Sequence, residues 1–324
     1  MSKRIALLCS GGDAPGMNAA VRAVVRTAIG RGWEVLGIER GYKGLIEQAF
    51  CMLTLRSVSG IIHRGGTVLK TSRSRRFRTP EGLEVAAETL RSRGIDALIA
   101  IGGNGTARGA IELGRIWPGQ ILLLPGTIDN DLNGTDYTIG YDTAVNVALE
   151  AIDRLRDTAE SLERTFVVEV MGRDSGFNAL DVALAAGAEL VLVPEAPMPL
   201  EQAYEAIRTA HERGKTSCIV VVAEGHPLGD GRAVAEYFAQ QDGPENYRLC
   251  VLGHIQRGGP PTARDRLLAT RLGGYAVEAL AEGATGMLVG EIHGRCQLTP
   301  LHEAVQVKKS PQIELLQLLA ATAL

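Results

Sequence analysis

The sequence lacks the apolar runs and the leader pattern of membrane and secreted proteins. No uninterrupted apolar stretch approaches the roughly 20 residues that a membrane span requires. The first residues enter a short apolar segment and then a glycine-rich loop, without the small-residue cleavage site of a signal peptide. We therefore expect a cytoplasmic protein with no membrane partner.

Paired cysteines, lysine and excess charge are also scarce. The five cysteines are scattered and form no Cys-x-x-Cys pair, which predicts reduced thiols and no disulfide framework. The formal net charge is −3, so no overall positive field favours nucleic acid as a partner. Only six of the 34 basic residues are lysines, a bias for which genomic composition or a hot habitat is a sufficient explanation.

What the sequence does contain is a regular alternation of short apolar strands and amphipathic helices. This alternation predicts parallel sheets covered by helices on both faces. The candidate strands are residues 5–10, 34–38, 97–101, 121–125, 166–171, 190–194, 218–223, 248–253 and 287–290. The candidate helices are residues 16–31, 80–93, 143–160, 201–213 and 262–282.

The length of 324 residues exceeds that of one ordinary core and predicts two domains. We predict an α/β fold of two Rossmann-like, three-layer αβα domains with mostly parallel sheets and an active site in the cleft between them. The first domain would comprise residues 1–140 and about 255–305, and the second residues 141–254 and about 306–324. In open α/β sheets, ligands bind beyond the carboxyl ends of the strands.

Glycine-rich loops follow two of the candidate strands. One runs from Ser10 to Asn18 and the other from Ile101 to Thr106, and each precedes a helix. Glycine allows the backbone to approach a phosphate closely, and a helix N-terminus supplies free N–H groups. Neither loop matches the dinucleotide fingerprint or the P-loop. One such loop alone could equally be a plain turn, but two at neighbouring strand ends predict a polyphosphate cradle.

A third loop, Pro125–Asp131, follows the strand at residues 121–125 and contains Asp129 and Asp131. Two carboxylates this close, without adjacent bases, are costly unless they bind a cation or move a proton. The alternative is an Asp-rich surface turn. The position at a strand end favours the functional interpretation.

Basic residues near other strand ends could hold a second phosphate. Arg164, Arg173, His254 and Arg257 are of suitable type, although each alone could be an ordinary surface group. Glu224 ends the strand at residues 218–223 and could accept hydrogen bonds from sugar hydroxyls. Together with the glycine loops and the carboxylates, these residues predict phosphoryl transfer. Nothing in the sequence indicates a Ser-His-Asp set or a Cys/His metal site.

These motifs resemble those of the bacterial-type ATP-dependent 6-phosphofructokinases, the phosphofructokinase A family. The resemblance runs from Ile5 to about Glu303 and includes Gly11–Asn18, Pro125–Asp131, Val170–Arg173 and Gly253–Gly259. It implies a glycolytic kinase that uses ATP and Mg²⁺ to phosphorylate D-fructose 6-phosphate at the 1-hydroxyl. It also implies a homotetramer with shared active sites.

The resemblance also implies roles for single residues. Asp129 would be the general base, Thr127 would contact the transferring phosphoryl group and Arg173 would stabilise charge, with Asp131 a further catalytic residue. ATP would bind at Gly12, Tyr42, Arg73, Ser74, Gly103, Asn104, Gly105 and Thr106. Fructose 6-phosphate would bind at Thr127, Ile128, Asp129, Arg164, Met171, Gly172, Arg173, Glu224, Arg248, His254, Ile255, Gln256 and Arg257, with Arg164 and Arg248 reaching in from a neighbouring subunit. An effector would bind at Arg22, Arg26, Arg156, Gly187, Glu189, Arg213 and Lys215, and the metal at Asn104 and Asp129.

Five positions bear on the choice of phosphoryl donor, the binding of Mg²⁺ and the regulation by effectors. Pyrophosphate-using relatives carry Asp and Lys where this chain has Gly105 and Gly126, so both glycines predict ATP. Asn104 replaces a magnesium-associated Asp, which predicts weaker use of Mg²⁺. Leu55 and Gly60 replace an Arg and an Asp of the effector site, which predicts weak regulation by ADP or phosphoenolpyruvate. The alternative function is that of a weakened paralogue acting as a ligand sensor or regulatory subunit.

Overall fold

A computed structural model describes residues 2–243 and 245–323 of the chain. Met1 and Leu324, which end two of the predicted domain ranges, lie outside the described residues, as does Pro244. The chain divides into two compact units. Unit 1 comprises Met1–Ile128, Leu132–Thr143 and Arg257–Lys308, and unit 2 comprises Asp129–Asp131, Ala144–Gln256 and Lys309–Leu324. In the described part of the chain, we find no helix with both the length and the apolar character needed to cross a lipid bilayer.

The strands and helices alternate along most of the chain. The strands are β1 (Arg4–Cys9), β2 (Glu34–Ile38), β3 (Phe50–Leu53), β4 (Ala97–Gly102), β5 (Gln120–Pro125), β6 (Thr165–Val170), β7 (Leu190–Leu192), β8 (Cys218–Ala223), β9 (Tyr247–Val251), β10 (Met287–Ile292) and β11 (Arg295–Pro300). The helices are α1 (Met17–Gly30), α2 (Gly41–Ile46), α3 (Pro80–Ser92), α4 (Asn104–Gly114), α5 (Tyr141–Leu162), α6 (Phe177–Ala186), α7 (Leu200–Glu212), α8 (Gly231–Asp242), α9 (Ala263–Ala281), α10 (Leu301–Gln306) and α11 (Leu315–Thr322).

Within the described residues, unit 1 is built on a sheet of seven strands in the order β11-β10-β5-β4-β1-β2-β3. The five inner strands pair in parallel, and the two outer strands, β3 and β11, pair antiparallel. All six residues of β4 are buried, as expected for a parallel strand with helices on both faces. Gly273 of α9 allows a close approach to α1, since a Cβ there would lie 2.7 Å from the Cβ of Ala23.

The sheet of unit 2 is parallel throughout the described residues, with strand order β7-β8-β6-β9. Successive residues of the fully buried strand β8 belong to two different hydrophobic clusters. Ile219 and Val221 pack with residues of α5, α6 and α11, whereas Val220 and Val222 pack with residues of α7 and α8. Helices therefore cover both faces of this sheet.

The predicted α/β fold of two units with mostly parallel sheets is confirmed. Two strands were not predicted from the sequence, β3 and β11, and both are partly exposed antiparallel edge strands. Strand β3 is apolar but only four residues long, and β11 mixes polar and apolar residues. Asp129–Asp131 group with unit 2, whereas the predicted ranges placed them in the first domain. The assignment of nucleotide to one domain and sugar phosphate to the other stays a prediction.

Two helix N-termini in unit 1 are joined by a buried network around Asp265. The Asp265 carboxylate accepts hydrogen bonds from the N–H groups of Gly140 and Thr143, each at 2.8 Å, and from the Thr143 hydroxyl, and so caps the start of α5. Thr262 caps α9 and donates its hydroxyl to Asp142 at 2.6 Å. Burial raises the pKa of Asp265 to about 6.

This raised pKa generates a prediction for stability against pH. An acid with a raised pKa in the folded state contributes stability that is complete below its unfolded pKa and is lost as pH rises through the folded pKa. For Asp265 the window runs from 3.8 to about 6. Across it, the unfolding free energy of the native chain should fall by about 3 kcal/mol relative to Asp265→Asn. Thermal unfolding of both proteins between pH 4 and pH 7 measures this; parallel curves would contradict it.

Candidate active site

The first glycine loop lies between β1 and α1 in unit 1. Gly11 and Gly16 have φ of +90° and +103°, a left-handed backbone that glycine adopts without strain. At Gly12 a Cβ would lie 3.3 Å from a guanidinium nitrogen of Arg257. The structure therefore places Arg257, predicted to bind the sugar phosphate, directly beside the glycine loop. A guanidinium beside a glycine loop at the start of a helix is suited to binding an anion.

The second glycine loop is tied to the first. Strand β4, which pairs with β1, ends at Gly102, and α4 begins at Asn104. The buried hydroxyl of Thr106 donates to the carbonyl of Ser10 at 3.0 Å, and the Ser10 N–H donates to the carbonyl of Ile101 at 2.9 Å. The predicted pair of loops thus lies at one edge of the sheet in unit 1.

Tyr42 supports the second glycine loop through a hydrogen bond to its backbone. Its buried phenol donates to the carbonyl of Thr106 at 2.8 Å and its ring stacks on Phe77 at 3.9 Å. Gly109 leaves room for both rings, because a Cβ there would lie 2.7 Å from Tyr42. Among the other residues predicted for ATP, Gly12, Ser74, Gly103 and Asn104 are partly exposed, Arg73 and Gly105 are exposed and Thr106 is buried.

The unit 1 part of the Pro125–Asp131 loop is closely packed. A Cβ at Gly126 would lie 2.8 Å from Cγ2 of Ile101 and 3.0 Å from Cε of Met17. Thr127 lies beside Gly103, where a Cβ would be 3.2 Å from the Thr127 Cβ. Ile128, which precedes Asp129, is buried. By contrast, a Cβ at Gly105 would meet no atom within 4 Å.

The remaining loop residues belong to unit 2, and two of the three, Asp129 and Asn130, are buried. Asp129 exposes 7% of its surface and Asn130 exposes 3%, while Asp131 is partly exposed. Asn130 has φ of +52°, a left-handed conformation that is uncommon outside glycine but that Asn tolerates better than most residues. A carboxyl group so enclosed, on a backbone so constrained, is typical of a functional position.

A second loop of unit 2 presents Arg173. Strand β6 ends at Val170, and Arg173 is exposed and left-handed, with φ of +54°. The Glu224 carboxylate, at the end of the adjacent strand β8, accepts from the N–H groups of Gly172 at 3.1 Å and Arg173 at 2.7 Å. One of the two Glu224 oxygens therefore holds this loop, and the contact of Glu224 with sugar hydroxyls stays a prediction.

The segment after β9 contains both a buried side chain that supports the backbone and side chains that are exposed to solvent. Gln256 is fully buried; its Oε1 accepts from the N–H of Met171 at 2.7 Å and its Nε2 donates to the carbonyl of Ala144 at 3.3 Å. Met171 is itself buried, so these two predicted binding residues are structural supports in this arrangement. His254 and Ile255 are exposed, and Arg164 and Arg248 are partly exposed.

Four of the predicted effector residues of unit 2 contact one another in two pairs, Arg156 with Gly187 and Lys215 with Glu189. The Arg156 guanidinium donates to the carbonyls of Ala186 and Gly187 at the C-terminus of α6. Lys215 and Glu189 form an ion pair at 2.9 Å. Arg213 is exposed; Arg22 and Arg26 lie on α1 of unit 1.

The residues predicted for Mg²⁺ suit it chemically. Asn104 offers an amide oxygen and Asp129 a carboxylate, both hard ligands of the type that Mg²⁺ prefers. Among residues 2–243 and 245–323, no three His, Cys, Asp or Glu side chains cluster as a metal site.

Comparison with known proteins decides the family. The model of the family described as Phosphofructokinase matches residues 4–280. This chain belongs to the phosphofructokinase family. The "ATP-dependent 6-phosphofructokinase 1" of Thermus thermophilus is 55% identical over 322 residues, 99% of this chain and 100% of that protein. The "ATP-dependent 6-phosphofructokinase 2" of Bacteroides thetaiotaomicron is 47% identical over 317 residues, 98% of this chain and 97% of that protein.

Solved phosphofructokinase structures agree with this assignment. The Saccharomyces cerevisiae phosphofructokinase has a TM-score of 0.89 and 36% identity over 94% of this chain, which spans 45% of that longer chain. A pyrophosphate-dependent phosphofructokinase from Marinobacter aquaeolei has a TM-score of 0.84 over 98% of this chain and 91% of that chain, and at 23% identity it supports the fold alone. The resemblance to bacterial-type phosphofructokinases stated from the motifs is confirmed.

The thermal stability of the chain should respond in opposite directions to alanine at Gly126 and at Gly105. Gly126→Ala forces a Cβ against the core side chains of Ile101 and Met17, and overpacking of this kind costs about 1–3 kcal/mol. Gly105→Ala adds a Cβ in open space, and in a helix alanine is favoured by about 0.5–1 kcal/mol. The melting temperature should therefore fall for Gly126→Ala and stay level or rise for Gly105→Ala. Equal melting temperatures for the two variants would contradict the packing argument.

Proposed function

We propose that this chain transfers the terminal phosphoryl group of ATP to the 1-hydroxyl of D-fructose 6-phosphate, giving fructose 1,6-bisphosphate, a reaction of glycolysis. The observation that carries the proposal is the near-complete match to relatives named ATP-dependent 6-phosphofructokinase, at 47–55% identity. The chain retains Asp129 and both glycine loops. The alternative of a weakened sensor or regulatory subunit is not favoured, because those relatives are named as enzymes over nearly the full chain.

The packing around Gly126 supports ATP as the donor. Relatives that use pyrophosphate carry a lysine at this position, and a Cβ here would lie within about 3 Å of Ile101 and Met17. Gly105, the second position that separates the donors, adds no charge to the glycine loop. The absence of a side chain at both positions leaves space for the nucleotide part of ATP.

Proton transfer is assigned to Asp129. The carboxylate takes the proton of the sugar 1-hydroxyl as the hydroxyl oxygen attacks the terminal phosphorus, and the bond to the leaving ADP oxygen breaks. Little exposed surface at Asp129 limits competition from water. Arg173 stabilises the charge of the transferring group. Thr127, beside Gly103, contacts that group from the nucleotide side.

Mg²⁺, when bound with the nucleotide, neutralises phosphate charge. Asn104 and Asp129 would hold it, with Asp131 adding to the negative surroundings. Asn104 supplies a neutral amide oxygen as ligand, so this chain should bind Mg²⁺ with lower affinity than relatives with Asp at that position.

We also propose a cytoplasmic homotetramer with weak effector control. Arg164 and Arg248 would complete the sugar-phosphate site of a neighbouring subunit. Leu55, which exposes 48% of its surface, lines a groove of 570 Å³ with Trp33 and Met52. Leu55 itself offers no charge to an effector phosphate, although Arg56 and Glu34 also line this groove.

The donor and the base are tested together in a coupled assay for fructose 1,6-bisphosphate. We expect product with ATP and none with pyrophosphate. Asp129→Asn should lower kcat by about 10²- to 10⁴-fold, because general-base assistance is lost. Asp153→Asn, on the exposed face of α5, serves as the matched control and should leave kcat unchanged. Product from pyrophosphate alone, or an active Asp129→Asn variant, would refute the respective assignment.

Glu224 offers a second test, through the Arg173 loop that it holds. Glu224→Ala removes the acceptor of two N–H groups, and hydrogen bonds to a charged group are worth about 1.5–3 kcal/mol. We expect kcat to fall by about 10- to 100-fold. Glu224→Gln keeps an acceptor oxygen and should lose less than about tenfold. If both variants instead raise the KM for fructose 6-phosphate at unchanged kcat, Glu224 acts through sugar contact alone.

A further inference from the structure

Two side chains outside the predicted site hold the backbone that carries the base. The buried hydroxyl of Ser175 donates to the carbonyl of Asp129 at 3.0 Å. The ammonium group of Lys309 donates to Oδ1 of Asn130 at 2.9 Å. All four residues belong to unit 2. The short segment Asp129–Asp131 is therefore fixed at two successive residues by groups remote in sequence.

This segment needs such support because of its conformation. A left-handed residue other than glycine is strained and persists only where its surroundings determine it. Asn130 is such a residue, with φ of +52°, and it is almost completely buried. A charged donor on its side-chain oxygen stabilises this conformation. The contact from Lys309 therefore helps to keep Asn130 in place.

The same two side chains connect the base to the Arg173 loop. Ser175 follows Arg173 by two residues, and its N–H donates to the carbonyl of Gly172 at 3.0 Å. The ammonium group of Lys309 also lies 4.9 Å from the ring centre of Phe177, the first residue of α6. A cation at this distance from an aromatic face is attracted to it. Movement of either loop would strain contacts on the other.

We propose that Lys309 and Ser175 are positioning residues for the base, with Lys309 acting through Asn130 and Ser175 through the carbonyl of Asp129. This rests on the proposed role of Asp129 as the base. Neither side chain is among the residues predicted to bind fructose 6-phosphate, so we expect their loss to misplace the carboxylate without removing substrate contacts. A misplacement of this kind lowers kcat and leaves KM nearly unchanged.

The chain supplies a matched control in the adjacent lysine. Lys308 is exposed, whereas Lys309 is partly buried. We expect Lys309→Met to lower kcat by about 10- to 100-fold, with the KM for fructose 6-phosphate within about twofold of the native value. Lys308→Met should match the native enzyme. Lys309→Arg keeps a cationic donor and should recover most of the loss, and Ser175→Ala should lower kcat by about five- to tenfold.

Hydrogen exchange separates this proposal from the proposed reaction. A peptide covering residues 126–135 should exchange faster in Lys309→Met than in Lys308→Met or the native chain. If the native chain is inactive but this difference in exchange is seen, the proposed phosphoryl transfer is refuted, whereas the support of residues 129–131 by Lys309 is upheld. If the native chain is active and the two methionine variants agree in both kcat and exchange, the proposal is overturned. A raised KM at unchanged kcat in Lys309→Met would overturn it too, since it assigns the lysine to binding.

Discussion

Parallel strand pairing is the constraint on which the loops of each unit depend. Because β1 and β4 pair in parallel, their carboxyl ends meet at one edge, and both glycine loops begin there. The same holds in unit 2, where β6 and β8 end side by side, followed by the Arg173 loop and by Glu224. An antiparallel pair would have sent the two loops to opposite edges. The fold thus brings together residues about 50 to 100 positions apart without any contact specific to a ligand.

Buried side chains that bind backbone groups turn this proximity into defined geometry. Thr106 joins the two glycine loops, Gln256 joins the end of β6 to the start of the unit 2 portion of α5, and Asp265 caps α5. Each satisfies a backbone group that burial would otherwise leave without a partner, which is expensive in a protein interior. The cost of losing such a contact keeps the loops in a single arrangement.

The sequence allowed the fold class, the main strands and the position of the loops to be predicted, because all three follow from apolar periodicity and glycine placement. It did not reveal which polar atoms the protein itself satisfies. Gln256 and Met171 sit inside a binding motif, yet Gln256 uses both ends of its amide on the backbone. Ser175 and Lys309 escaped notice because their partners lie 46 and 179 residues away. Long-range side-chain to backbone contacts leave no periodic signal.

The tight packing of Gly126 bears on how the choice of phosphate donor can change during evolution. Ile101 and Met17 occupy the space that any side chain at 126 would enter. Since both are fully buried core residues, a lysine arriving first would destabilise the chain before it altered chemistry. A smaller residue at 101 or 17 would make room for it, but such a change carries its own cavity cost. Under the proposed role of position 126 in donor choice, two core side chains therefore make a change of phosphate donor costly to stability during evolution.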